Sequence, residues 1–134
     1  MCLFSKNYIP SIASEDMYCY KEFVVPTLNS KILQTPYRDV KVNADSFPFL
    51  MKAEGPKTVQ YYTRNSYVLT SGFIHAYTRT SFIKNYIYCA KRDPNFYKYF
   101  ALVLCKIPKG VKYYISEDNS QICASEIILI RRII

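Results

Sequence analysis

The sequence predicts an α+β fold: a mainly antiparallel sheet with one principal helix at about residues 80–91 and a C-terminal β-meander. A mostly β fold is the neighbouring alternative. Three observations predict this. Fourteen Tyr and eight Phe fall in short runs with Val, Ile and Thr, broken by Pro and by Asp/Asn/Ser clusters, which is strand-and-turn composition. Phe82, Ile83, Tyr86, Ile87 and Ala90 recur at helical spacing, and Thr78, Thr80 and Ser81 offer hydroxyl N-caps. No strand–helix–strand repetition is present, so a parallel nucleotide-binding sheet is not expected.

Taken in order, residues 1–16 show no clear period, contain Pro10 and read as an N-terminal arm or loop. Residues 17–25 are dense in β-formers and stop at Pro26, which predicts a strand. Between 26 and 58, Pro26, Pro36, Pro48 and Pro56 exclude a long helix and leave short strands at 31–33 and 37–42. A helical turn or two is expected at 47–53, after Pro48. Residues 58–63 and 67–70 read as strands, and Gly72 marks a bend or a close approach. After the helix, Asp93-Pro94-Asn95 supplies a turn. The meander is then 96–107, a turn at Pro108-Lys109-Gly110, 111–116, a polar loop at 117–120, and 121–134 interrupted at Ser125-Glu126. Phe100 to Cys105 and Ile127 to Ile130 are apolar on both faces, so both faces of their sheet are expected to be covered.

At 134 residues the chain fits a single domain, 1–134, with enough length for a real core. Half the residues are hydrophobic and 21% are charged, which excludes a disordered chain. The longest apolar run is far too short to span a bilayer, and the N-terminus has no charged lead followed by an apolar stretch, so a cytoplasmic protein without a membrane partner is expected. The net charge is +8, concentrated in the second half: residues 68–134 carry +6 against +2 for 1–67. Such a field attracts polyanions or acidic protein surfaces. The charges are scattered singles, and no run exceeds two, unlike a nucleic-acid-binding tail.

Cys2, Cys19, Cys89, Cys105 and Cys123 are widely spaced, with no Cys-x-x-Cys pair and one histidine, His75, in the whole chain. A structural zinc site needs four ligands, usually in close pairs, so no metal and no cofactor is expected. All but Cys2 sit in apolar stretches and read as buried thiols of a reducing compartment. There is no Gly-rich phosphate loop, no Gly-x-Ser-x-Gly and no His-Glu-x-x-His. Glu126, beside Ser125 inside an apolar strand, needs a partner or a task; the plain reading is that it faces water or pairs with a nearby Lys or Arg. His75 reads first as a structural histidine.

The opening Met1-Cys2-Leu3-Phe4-Ser5-Lys6, the Cys19-Tyr20-Lys21 strand, the Gly72-Phe73-Ile74-His75 step and the Ile107-Pro108-Lys109-Gly110…Tyr113-Tyr114 hairpin together resemble a group of short uncharacterised proteins of bacteriophages and gut bacteria. The resemblance implies a phage origin and a protein that binds a host factor, including defence systems. A second likeness is to ADP-ribosyltransferase-like domains. These carry an aromatic or basic residue on an early strand, a small-residue strand leading to a helix, and a Glu on a late strand. Tyr20 or Lys21, then Ser71 with His75 and Tyr77, then Glu126 follow that order, without a Ser-Thr-Ser run or a Glu-x-Glu.

The functional expectation is a non-catalytic binding protein acting on a host protein or on nucleic acid or a nucleotide. Its surface would be basic and Tyr-rich: Tyr77, Arg79, Lys84, Tyr88, Lys91, Arg92 and Tyr97. On a helix, Lys84, Tyr88, Lys91 and Arg92 fall at neighbouring positions, suited to phosphate contact or to an acidic protein patch. The alternative is an ADP-ribosyltransferase-like or other nucleotide- or NAD-binding domain using Tyr20, His75 and Glu126.

Overall fold

Alternation along residues 17–25 sets the centre of the fold. Strand β3 (Met17–Val24) buries Cys19, Lys21 and Phe23, and Val25 just beyond it, while Tyr18, Tyr20, Glu22 and Val24 turn to the other face. This is the period of two that a β-strand imposes. β10 (Phe100–Ile107) lies antiparallel to β3 along its full length, with Cys105 opposite Cys19, Val103 opposite Lys21 and Ala101 opposite Phe23. The inward faces of the two strands therefore meet as one apolar surface. Leu102, on the opposite face of β10, is also fully buried, so this strand is covered on both sides.

The computed structural model describes residues 3–5, 10–27, 29–35, 40–53, 58–62, 67–78, 92, 100–116 and 119–133; side chains are described for these except 3–5, 58–62 and 67–71. The remaining strands are β1 (Leu3–Ser5), β2 (Ser11–Ile12), β4 (Ile32–Gln34), β5 (Lys41–Asn43), β6 (Phe49–Lys52), β7 (Thr58–Tyr62), β8 (Tyr67–Ser71), β9 (Ile74–Tyr77), β11 (Lys112–Ile115), β12 (Gln121–Ala124) and β13 (Glu126–Arg132). The main sheet runs β2-β11-β12-β9-β3-β10-β13-β6, and the β4–β5 hairpin attaches to β3 at Val24 opposite Gln34. A smaller sheet, β1-β8-β7, brings β1 close to β11 and β12. Every described pairing is antiparallel.

The core lies on the inward face of the main sheet. Phe23, Val103, Ile107, Ile122, Ile127 and Leu129 are all at most 1% exposed, and each such side chain contributes about 1.5–3 kcal/mol by leaving water. The register of β10 and β13 shifts where Leu104 faces Arg131 and Cys105 faces Leu129, which leaves Ile130 of β13 as the extra residue.

Several sequence expectations are corrected. The described architecture is mainly antiparallel β, and no principal helix enters it. Residues 80–91, with their helical periodicity, lie outside the described residues; Arg92 next to them has helical backbone. The other described helical backbone is a single 3-10 turn, Ala44–Ser46, in which Asn43 Oδ1 accepts from the amide of Asp45 at 2.9 Å. The helical turn expected at 47–53 is instead strand β6, paired with β13, and the turn falls before Pro48. The C-terminal strands do not form a meander. Of the consecutive pairs only β11 and β12 are joined; β12 continues to β9, and β13 pairs with β10 and β6. The breaks at Pro108–Gly110 and Ser125 free each strand to seek the neighbour whose apolar face matches its own. Residues 1–16, read as an arm, contribute β1 and β2, which pair with β8 and β11.

Candidate functional site

A cavity of about 380 Å³ opens beside the main sheet. Its walls come from β6 (Phe49, Leu50, Met51, Lys52) with Ala53, and from β9 (Ile74, His75, Ala76, Tyr77) with Gly72 and Phe73. By hydrogen bonding, β3, β10 and β13 separate β6 from β9. Strands so far apart in the ladder can line one cavity only if the sheet curls toward closure, leaving a seam between β6 and β9. Lys21 and Glu22 of β3, Thr35 and Val40 of the β4–β5 hairpin, and Gln121 complete the lining.

Local chemistry builds each wall. Gly72 adopts φ 88°, a left-handed value open to glycine at little cost, and turns the chain into β9. Thr35 is buried and closes the hairpin end: its amide donates to the Val40 carbonyl at 2.9 Å, and its Oγ1 accepts from the Val40 amide at 3.1 Å. β6 alternates so that Met51 is buried opposite Ile127, while Phe49, on the same face, is 37% exposed at the mouth. Leu50 at 44% and Val40 at 37% also stand exposed around this opening.

Lys21 is the unusual member. It occupies an inward position between Cys19 and Phe23 and is only 9% exposed. Its Nζ donates to the carbonyl oxygen of His75 at 2.8 Å and sits 5.7 Å from the centroid of the Phe23 ring. Among the described residues no carboxylate lies within ion-pair distance of it. Burial in this apolar wall pulls its pKa below the usual lysine range, opposed in part by Cys105, Cys19 and Glu22. Burial likewise pushes the Cys19 thiol up to about 12 and raises Cys105. Glu22, on the opposite face of β3, is also raised by burial, with Lys21 acting against that shift.

The predicted site residues separate into three groups. Tyr77 lines the cavity and sits opposite Gln121 on β12 and Tyr20 on β3. Arg92 is exposed; Arg79, Lys84, Tyr88, Lys91 and Tyr97 lie outside the described residues. Tyr20, His75 and Glu126 are not brought together. Tyr20 is level with Leu104 on β10, whereas Ile128 is level with Lys106 and Glu126 stands two residues further along β13. Two strand spacings and four residues of rise put Tyr20 and Glu126 roughly 16 Å apart. Glu126 stands opposite Lys52 in the register of β13 and β6. Both ring nitrogens of His75 are shielded from solvent, so its contribution at Lys21 is the backbone carbonyl. Among the described residues no group of three or more His, Cys, Asp or Glu is placed to hold a metal ion. Cys19, Cys105 and Cys123 are buried and are not joined in disulfides; Cys2 and Cys89 lie outside the described residues.

Lys21 entered the sequence reading only as an alternative to Tyr20. The signal that singles it out is its phase: positions 19, 21, 23 and 25 are Cys, Lys, Phe and Val, so one cation falls on an otherwise apolar face. No protein-family model, curated protein or solved structure matches the chain. Among the described residues no helix is long and apolar enough to cross a membrane.

Proposed function

We propose that this chain is a non-catalytic binding protein whose ligand site is the cavity in the seam between β6 and β9. One observation carries the reading. Six large hydrophobic side chains are exposed among the described residues, and three of them, Val40, Phe49 and Leu50, line this one cavity. Exposed apolar groups gathered around a concavity mark a binding site, whereas single ones scattered over a surface are ordinary. The volume falls in the range of small-molecule sites, and the lining is apolar with a few polar groups, Lys21, Thr35, Tyr77 and Gln121, to orient a ligand. The nucleotide- or NAD-using alternative draws less support, because Tyr20, His75 and Glu126 do not converge on a common point.

The test is titration with phenylnaphthylamine, an uncharged dye that fluoresces on leaving water. The expected result is saturable binding at one site per chain, weakened roughly tenfold or more by Phe49→Asp, which places a charge at the apolar mouth. Phe49 is 37% exposed, and circular dichroism of the variant checks that its fold is kept. A wild-type chain giving no saturable signal, or Phe49→Asp binding as tightly as wild type, would refute the assignment.

A further inference from the structure

We propose that the cavity selects a small amphipathic anion, an acidic head group on an apolar or aromatic body, and that Lys21 Nζ pairs with the head group. The proposal rests on the ligand-binding reading above and gives it a chemical class.

The argument starts from donor and charge accounting. A lysine ammonium has three N–H donors and no acceptor. One is spent on the His75 carbonyl at 2.8 Å, and among the described residues the others have no protein acceptor. A carbonyl dipole does not neutralise a charge, and the Phe23 ring face at 5.7 Å compensates little. Buried charges in proteins are ordinarily paired, and among the described residues Lys21 has no carboxylate partner. It also lines a cavity rather than close-packed core. A ligand acid entering that cavity would supply the missing countercharge in a poorly solvated place, where a charge-assisted hydrogen bond is strong.

The rest of the wall limits the ligand. Among the described residues of the lining, Lys52 is a second cation, on the β6 side, and Glu22 is the one carboxylate. Two ammonium groups disfavour a cationic ligand. With one carboxylate present and one buried cation, the site suits a single acidic group better than a polyphosphate. Phe49, Leu50, Met51, Ile74 and Ala76 offer the remainder of the ligand an apolar bed.

Two dyes with the same ring system separate the charge from the apolar body. Anilinonaphthalene sulfonate carries an acidic group and phenylnaphthylamine does not. In the wild-type chain the sulfonate should bind roughly tenfold or more tightly than the neutral dye. Lys21→Met should erase that preference, and Lys21→Arg should retain it. Equal affinity of the two dyes for the wild-type chain overturns the proposal while leaving the ligand-binding reading intact, and this comparison needs no variant to fold. An unchanged preference in folded Lys21→Met overturns it too. If neither dye binds the wild-type chain, the ligand-binding reading fails and takes this proposal with it.

Discussion

Replacing Lys21 with Met should make the protein more stable. Its ammonium is taken out of water, 9% exposed, and meets one carbonyl and one aromatic face. The effective penalty for such an ion is several kcal/mol even after relaxation. The charged hydrogen bond to His75 returns about 1.5–3 kcal/mol, and the Phe23 face about 1 kcal/mol or less. Met is unbranched and fills nearly the same space. It removes the ion but leaves the His75 carbonyl without this donor, at a cost of about 1–3 kcal/mol. The net expectation is a gain of about 1 kcal/mol or less at neutral pH, or up to roughly 4 °C in Tm for a chain of this size.

The pH dependence gives that expectation a second handle. The folded pKa of Lys21 lies below its unfolded value. Below the folded pKa both states hold the proton, and the folded protein bears the whole penalty. Between the folded pKa and the unfolded value near 10.4 the unfolded chain binds more protons, so wild-type stability rises with pH in that window. The advantage of Lys21→Met should therefore shrink as pH climbs. Cys19 and Cys105 act in the opposite sense, because their raised folded values cost stability once the unfolded thiols ionise. Both thiols remain in the variant, so the larger part of their contribution, which comes from burial, cancels in the difference between the two proteins. Urea denaturation followed by circular dichroism at pH values from 7 up to the unfolded lysine value measures it. A variant less stable than wild type at pH 7, or an advantage that does not change with pH, would refute the reasoning.

Two further outcomes follow from the same structure. Cys19, Cys105 and Cys123 should label slowly with iodoacetamide in the native protein at pH 8, reacting no faster than the chain opens, since all three are buried and the Cys19 pKa is near 12; rapid native modification at these positions, located by mass spectrometry, would contradict this. Gly110→Ala should cost about 1 kcal/mol in urea denaturation, because Gly110 sits at φ 89° with no atom within 4 Å of the added methyl, so the whole effect is backbone strain; a loss above about 3 kcal/mol would mean that the side chain meets something.

Local structure was legible in the sequence where period and punctuation agreed. The β-forming run 17–25 that stops at Pro26 yielded β3, the run ending at Pro108 yielded β10, and Gly72 and Gly110 both mark positive φ. Pairing was not legible. A meander joins neighbours in sequence, but β10 finds β3, and β13 returns to β10 past the β11–β12 hairpin. Strand composition states that a face must be covered and leaves open by which partner. The helical turn was misplaced for a related reason: Phe49-Leu50-Met51-Lys52 carries no decisive period, and pairing with β13 settles it as strand. The candidate site was mostly hidden. Tyr77 was picked out for its chemistry, but Val40, Phe49 and Leu50 come together only because the sheet curls. Lys21 was marked by its phase, yet a cation on an apolar face becomes informative only when the absence of a countercharge can be measured in three dimensions.

The pairing of β3 with β10 also sets a timetable for synthesis. The strand at Met17–Val24 is made early, and its partner follows roughly 80 residues later. At ribosomal speeds of about 5–20 residues per second, β3 waits roughly 4–16 s for the strand that covers one of its edges. For that interval Cys19, Phe23 and Val25 have no β10 or β13 to pack against. Lys21, costly in the finished core, then has a use that needs no ligand: a positive charge in the middle of an otherwise sticky segment repels its own copies on neighbouring nascent chains.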